Sequence, residues 1–373
     1  MIRVHKIRLY PNNKQATSFA KACGVARFAY NWALSEWKRR YEAGETVRES
    51  ILWKELNTIK REQYPWMLEV AKCIPQLAVK SELKDAISGF LSEREESLKY
   101  RKKGVNDSFS LSNSNFVTKD KKVWISLLGW VNMAEELRFD GENILAAISK
   151  TAEVWYITIQ VAVPDPEPMH TSENQAVGIS FGSESFAVLS DGTTIGKVNA
   201  NRQTERKLKR LSKELSRRQG AKKGETKSRN YRKTKRKLSR LYTKMGNIRA
   251  NETHRQTTGL TRQYGVIGVE NIVAQNGISG NSIARIGTDM EVTEFLRQLE
   301  YKAAATGSRV VVANRWSPSS RKCHACGYGN EGPQLLEYNW VCAECGAYNE
   351  RDINAAIKLR DYAVVVDSEQ ETP

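Results

Sequence analysis

At 373 residues the chain can hold two or three domains of about 150 residues each, and it contains no apolar run of about 18 residues able to cross a membrane. Its net charge is +17, yet residues 202–249 alone hold 20 Lys and Arg against 3 Asp and Glu, so everything outside that window is neutral. Charges this dense repel unless a polyanion neutralises them. The pattern therefore points to nucleic acid, and large apolar residues are too sparse there for a membrane-surface helix.

Residues 1–12 read as a strand, Arg3-Val-His-Lys-Ile-Arg-Leu-Tyr10, stopped by Pro11-Asn-Asn. From Lys14 to Tyr41, Ala16, Phe19, Cys23, Ala26, Tyr30, Leu34, Trp37 and Tyr41 recur at three and four residues, giving one amphipathic helix or two bent at Gly24. Thr46 and Ser50 are candidate caps for a helix starting near Ile51; Pro65 breaks the pattern, and a further helix fits Pro75 to Glu93. Residues 108–111, 122–125 and 153–161 then read as strands, with Ile144–Ile148 placed as a strand by its neighbours. Pro164-Asp-Pro-Glu-Pro168 marks a domain boundary. Beyond it come a strand pair or triplet over 175–200, helices over 202–262, a strand over 264–270, a helix over 290–307, a strand at Val310–Ala313 and a last helix from Asp352 to Asp361. Since Met1-Ile-Arg-Val-His-Lys has no apolar secretory stretch, a cytoplasmic protein is expected.

Four of the six cysteines form Cys323-x-x-Cys326 and Cys342-x-x-Cys345, a spacing that matches a four-cysteine zinc ribbon; Gly327 and Gly346 follow the second cysteine of each pair. Four thiolates complete a Zn²⁺ shell, so His324 need not ligate. Cys23 and Cys73 lie in helical patterns, which argues against a disulfide framework. Position 180, at the end of the strand Ala176-Val-Gly-Ile-Ser180, Glu270 at the end of Tyr264-Gly-Val-Ile-Gly-Val-Glu270, and Asp352 at a helix start would meet in an RNase H-like sheet. Nucleases of that kind use carboxylates to hold two Mg²⁺ ions. Serine at position 180 is neutral and ligates hard cations weakly, so two-metal cleavage is expected to be largely lost and Mg²⁺ binding to be weak or missing. Glu184 is the less implausible surrogate ligand; Asp191 lies too far along the returning strand.

The chain resembles the TnpB family of RNA-guided, transposon-encoded nucleases, relatives of type V CRISPR effectors. The resemblance rests on Ile7-Arg-Leu-Tyr-Pro11, Gly24-Val-Ala-Arg-Phe-Ala-Tyr-Asn-Trp32, Tyr64-Pro-Trp66, Phe186-Ala-Val-Leu-Ser-Asp-Gly192, Val269-Glu-Asn271, Pro318-Ser-Ser320, the cysteine pairs and Arg351-Asp-Ile-Asn-Ala-Ala356. In that family the strand motif reads Gly-Ile-Asp-Leu-Gly and its Asp is the first catalytic carboxylate; here it is Gly178-Ile-Ser-Phe-Gly182, and Glu350 stands where many relatives have Asp. The resemblance thus narrows to the nuclease-dead TnpB-like repressors (TldR), which keep a guide RNA and bind DNA to block transcription, some of them repressing neighbouring flagellin genes.

The expected fold is an α+β multidomain chain. A small β-barrel-like domain (1–12 and 100–168) carries a helical insertion (13–99). An RNase H-like (RuvC) α/β domain (169–315 and 350–363) follows, with a basic hairpin (202–249), a zinc ribbon (316–349) and a short tail (364–373). The expected partners are a guide RNA and double-stranded target DNA bearing a short adjacent motif, one protein copy per RNA, and the expected cofactor is structural Zn²⁺. Remnants Ser180, Glu270 and Asp352 would mark the lost catalytic centre. Candidate nucleic-acid contacts are Arg27, Tyr30, Asn31 and Trp32 in the first long helix, and Arg206, Lys207, Lys209, Arg210, Arg229, Arg232, Lys233, Lys235, Arg236 and Lys237 in the hairpin. Leu208, Leu211, Leu215, Leu238 and Leu241 would form its apolar seam and Gly220–Gly224 its turn. The alternatives are a guided endonuclease with a rearranged site and an RNA-binding transposon accessory factor.

Overall fold

The computed structural model describes residues 1–92, 97–165, 175–182, 185–197, 202–219, 227–270, 283–313, 322–329 and 338–371. The expected boundary at 166–168, Glu184, the hairpin turn at 220–224, Asn271 and Pro318–Ser320 lie outside them. The chain divides into two compact units: Met1–Pro164 with Arg232–Arg240, and Asp165–Tyr231 with Leu241–Pro373.

The first unit begins with β1 (Ile2–Tyr10), in which Ile7 and Leu9 are buried while Lys6, Arg8 and Tyr10 are exposed, the alternation of a half-buried strand. Asn12 then closes a capping box with Gln15 and starts α1 (Asn13–Glu42), a single 30-residue helix. Gly24 does not bend it. Helices α2 (Glu49–Gln63), α3 (Cys73–Leu77) and α4 (Lys84–Leu91) follow, with a 3-10 turn at Pro65–Glu69 and a π-helical stretch at Ala78–Leu83 joining α3 to α4. The expected caps Thr46 and Ser50 are not used: Arg48 occupies the N-cap of α2 without a side-chain bond. Six more strands complete the unit: β2 (Ser108–Ser112), β3 (Phe116–Lys119), β4 (Lys122–Ile125), β5 (Gly129–Met133), β6 (Glu142–Thr151) and β7 (Val154–Ala162).

These seven strands form one antiparallel sheet in the order β2-β6-β7-β1-β5-β4-β3. The expected barrel-like closure is corrected by this order: β2 and β3 are both edges, and among the described residues no sheet closes. The inner-face residues Ile7, Phe109, Leu111, Ile125, Ile157 and Ile159 join Phe19, Ala26 and Leu34 of α1 in one core.

The second unit is built on a five-stranded sheet ordered β10-β9-β8-β11-β12. Strands β8 (Ala176–Ser180), β9 (Ala187–Leu189) and β10 (Thr194–Ile195) run antiparallel in sequence; β11 (Val266–Val269) and β12 (Arg309–Val312) extend the sheet parallel to β8. Between them in sequence lie α5 (Arg202–Arg217), α6 (Arg229–Gln263), whose stretch Arg232–Arg240 groups with the first unit, and α7 (Ile283–Thr306). Alternation divides the two central strands cleanly. Val177, Ile179, Ile267 and Val269 join Leu260, Phe295 and Leu299 in the core, while Gly178, Ser180 and Gly268 take the opposite parity.

On that second face lies α8 (Arg351–Glu371), which continues well past the expected end at Asp361 and takes up most of the expected tail. Gly178 and Gly268 are directly opposite each other in register, and they let the helix backbone touch the sheet. A Cβ on Gly178 would fall 1.8 Å from the Ala356 carbonyl oxygen, and one on Gly268 would fall 2.2 Å from that of Leu359. Backbone cannot yield as a flexible side chain does, so Gly178→Ala should push α8 off the sheet and destabilise the unit by about 3 kcal/mol or more. Chemical denaturation would show this as a lower midpoint; an unchanged midpoint would mean that the helix is not held by this close approach.

Candidate functional site: a serine and two carboxylates, and a four-cysteine cluster

Register and helix docking together decide what meets at the end of the sheet. Ser180 closes β8 and Glu270 follows the last residue of β11, so the shared parity that turns Gly178 and Gly268 toward α8 applies to them as well. Asp352 sits in the first turn of α8. Ser180 Oγ donates to Glu270 Oε1 at 2.6 Å. Ser180 is 4 % and Asp352 8 % exposed. Burial raises the Glu270 pKa above the usual carboxylate range; the Ser180 hydroxyl opposes this, the Asp352 charge adds to it, and Arg351 and the Phe181 amide oppose it again.

Two neighbours complete the trio. Gly182 leaves room for Asp352, since a Cβ there would meet Asp352 Oδ2 at 2.7 Å. Tyr338 Oη stands 3.1 Å from Asp352 Oδ2 and 3.2 Å from Glu350 Oε1, with one proton to share between them. Burial raises the Tyr338 pKa, and the charge of Asp352 adds to the shift. Phe181 packs edge-on against Phe186 and Phe295 at 5.7 and 5.9 Å between centroids, so this bulky residue serves the core behind the site.

As a donor set for two Mg²⁺ ions, these residues fit poorly. Position 180 supplies a neutral hydroxyl that already donates its hydrogen bond to Glu270, and burial favours the uncharged form of Glu270 itself. Asp191 is committed elsewhere: its Oδ1 accepts from the Thr193 amide at 2.8 Å and its Oδ2 from Tyr264 Oη at 2.9 Å.

Cys323, Cys326, Cys342 and Cys345 converge so that all four sulfurs lie within 4.8 Å of one another. The Cys323–Cys345 and Cys326–Cys342 sulfurs are 3.7 and 3.6 Å apart. Tetrahedral Zn²⁺ with bonds of ~2.3 Å would separate sulfurs by about 3.8 Å, so the donors fit this ion. Both knuckles are built alike. Gly327 and Gly346 take φ of 76° and 69°, the left-handed region, and donate to the Cys323 and Cys342 carbonyls at 3.0 and 2.9 Å. Burial of the Cys323 thiol disfavours its thiolate, but the Cys326 and Ala325 amides, with Cys345 and Asn349, outweigh burial and bring its pKa to about 6.

His324 is held outside the ligand shell, with Nδ1 2.8 Å from Asn349 Oδ1, and its backbone N–H donates to Asn354 Oδ1 at 2.8 Å. Asn354 Nδ2 also donates to the Lys322 carbonyl at 2.9 Å. Asn354, 1 % exposed and two residues after Asp352, thereby ties the first knuckle to the helix carrying the acidic corner. Tyr338, Asn349 and Asn354 were not singled out by sequence reasoning. Only Asn354 had a signal there, as part of Arg351-Asp-Ile-Asn354.

The candidate contacts in α1 have internal partners. Arg27 pairs with Asp107 at 3.1 Å, and Tyr30 is 5 % exposed beneath the Arg101 guanidinium, 3.9 Å from its ring centroid. Asn31 exchanges two hydrogen bonds with the Arg101 backbone at 2.8 and 3.0 Å, and Trp32 packs half-buried against the core. In α5 and α6 the ten basic candidates Arg206, Lys207, Lys209, Arg210, Arg229, Arg232, Lys233, Lys235, Arg236 and Lys237 are all exposed, whereas Leu211, Leu238 and Leu241 are buried.

Comparison with known proteins agrees with these parts. Residues 158–278 match the IS605 OrfB family ("Probable transposase"), residues 1–46 its helix-turn-helix domain, and residues 293–359 the Cas12f1-like TNB domain. A Streptomyces pristinaespiralis protein named "Putative RNA-guided DNA endonuclease" is 28% identical over 368 residues, covering 95% of this chain and 87% of its own. The chain belongs to the TnpB family. A second relative, the Escherichia coli K12 protein named "Putative RNA-guided DNA endonuclease InsQ", is 26% identical over 381 residues, covering 95% of this chain and 90% of its own. The fold is similar to that of Cas12f1 in a Cas12f1–sgRNA–target DNA complex, with a TM-score of 0.58 and 12% identity over 96% of this chain and 98% of that one.

Proposed function

We propose that this TnpB-family protein is an RNA-guided, sequence-specific binder of double-stranded DNA that does not cut, a nuclease-dead repressor of the TldR kind acting by obstructing polymerase. The observation that carries this reading is the Ser180 hydroxyl donated to Glu270, where the family motif places a carboxylate. The strand order of the second unit, three antiparallel strands extended by two parallel ones, supports an RNase H-like (RuvC) scaffold. The four-cysteine cluster, as a structural zinc ribbon, braces it. Guide pairing supplies sequence, and the protein reads a short duplex motif beside the target.

The basic faces of α5 and α6 hold the RNA or the heteroduplex through phosphate contacts, which add affinity without sequence information. Replacing Lys235, Arg236 and Lys237 together by Gln should therefore flatten the dependence of log K on log salt by about 2–3. Filter binding across a salt series checks this, and an unchanged slope would remove these residues from the interface.

The names of the relatives favour a second reading, a guided endonuclease in which Glu270 and Asp352 still act. The experiment that establishes guided binding is sequencing of the RNA that co-purifies, followed by binding to duplex DNA matching its variable end. Tight binding to matched duplex alone supports the proposal. Equal binding to matched and scrambled duplexes would reduce the protein to an RNA-binding accessory factor.

A further inference from the structure

The poor fit to divalent ions extends past position 180, to a residue carried by the cysteine cluster and not by the five-stranded sheet. Beside the cluster lies a two-stranded hairpin, β13 (Asn339–Val341) and β14 (Tyr348–Glu350), with Asn339 opposite Glu350. β14 runs directly into α8, and the Arg351 amide donates to the Tyr338 carbonyl at 2.8 Å. Backbone register therefore fixes position 338 beside the first turn of α8.

The phenol meets two carboxylates at once. Tyr338 Oη lies 3.1 Å from Asp352 Oδ2 and 3.2 Å from Glu350 Oε1. Asp352 Oδ2 is also the oxygen that lies against Gly182, just past the end of β8, so Tyr338 engages the atom that faces the sheet. Asp352 is buried, and among the described residues no cation forms an ion pair with it or with Glu350. Two carboxylates that share one contact point repel unless a cation or a proton donor lies between them. In a two-metal nuclease a divalent ion takes such a place. Here a hydroxyl occupies it, as the Ser180 hydroxyl does beside Glu270.

We propose that Tyr338 is a positioning residue whose hydroxyl holds Asp352 and Glu350 together in place of a cation, closing the acidic first turn of α8 to divalent ions. Ser180 and Tyr338 are then two neutral donors, one from the sheet and one from the cysteine hairpin, over carboxylates that would otherwise call for metal. The inference rests on the non-cutting reading of the site, but it concerns Asp352 and Glu350 rather than position 180. Guide-dependent cleavage by the unsubstituted protein would end that reading, whereas the comparison of variants below bears on the clamp itself.

The test is thermal unfolding of the full chain, without chelator so that the cysteine cluster is undisturbed, in the absence and presence of millimolar Mg²⁺ at matched ionic strength. Tyr338→Phe keeps the ring and removes the donor, which leaves Asp352 and Glu350 as an unscreened pair open to the ion. Mg²⁺ at about ten times its dissociation constant should then raise the Tm of Tyr338→Phe by about 3–6 °C, with the unsubstituted protein unmoved. Glu350→Gln, which retains the bond from Tyr338 to Asp352, should also be unmoved, and adding it to Tyr338→Phe should abolish most of the gain. Mn²⁺ bound per chain, read by electron paramagnetic resonance, checks the same point without an unfolding transition; Tyr338→Phe should hold more than the unsubstituted protein. A phenol that only packs the hairpin on α8 would, once removed, lower Tm equally with and without Mg²⁺. That result would overturn the proposal, as would a Mg²⁺ shift of the same size in the unsubstituted protein or equal Mn²⁺ binding by the two.

Discussion

Ser180→Asp is expected to turn a divalent-indifferent protein into a divalent-dependent one. The present hydroxyl lies 2.6 Å from Glu270 as a hydrogen-bond donor. A carboxylate in its place would face Glu270, and beyond it Asp352, as like charge in a buried setting. Without a cation that repulsion should lower stability by roughly 2 kcal/mol, a fall in Tm of about 5 °C for a unit of this size. Millimolar Mg²⁺ should restore it by giving three carboxylates a shared ligand. Thermal unfolding in Mg²⁺-free buffer without chelator, which leaves the cysteine cluster undisturbed, and in Mg²⁺ reads both effects. The unsubstituted protein should show the same Tm in each. Equal stabilisation of both proteins by Mg²⁺ would mean that the existing trio already holds the ion.

Loss of metal from the cysteine cluster should have the larger structural effect. Structural zinc sites carry apparent binding free energies of about 10–16 kcal/mol near neutral pH, most of it expressed as folding. Here Asn354 joins the first knuckle to α8, and Asn349 holds both His324 and the Cys323 sulfur. Cys323→Ser, or chelation, is therefore expected to release the bound zinc and to loosen the first turns of α8, the segment that positions Asp352. Hydrogen exchange of the amides at 351–356, measured beside zinc content, distinguishes the outcomes. Retention of full protection after metal loss would show that the helix is held by its packing at Gly178 and Gly268 alone.

Much of the candidate site was legible because its parts are local. A strand ending in Ser180, a strand leading to Glu270 and a helix opening at Asp352 each carry their own periodicity, and the parallel register sets the first two side by side. The four cysteines announce their convergence by spacing. What could not be read depends on contacts distant in sequence. Nothing local marks Gly178 and Gly268 as the floor under α8, or Tyr338 as the partner of Asp352. The role of Asn31 likewise appears only when the backbone at Arg101 arrives beside it.

In the first unit the expected barrel gives way to an open sheet because closure depends on whether β2 meets β3, a property of edges rather than of any strand's own pattern. Short β3 and β5 were missed, having four and five residues and little period to read. The single long α1 decides between the two readings that the sequence left open, one helix or two bent at Gly24. Gly24 lowers helix propensity, but Ala22, Val25, Ala26 and Ala29 are buried around it, and that packing keeps the helix continuous.

The most direct test of guided binding without cleavage is one assay: the purified protein with its co-purified RNA, incubated with end-labelled duplex matching the guide in Mg²⁺ and, separately, in Mn²⁺. The predicted result is a retarded complex from which the DNA is recovered intact in both metals. Guide-dependent cleavage of that duplex would contradict it, and would show that Glu270 and Asp352 suffice for the chemistry that Ser180 was taken to have ended.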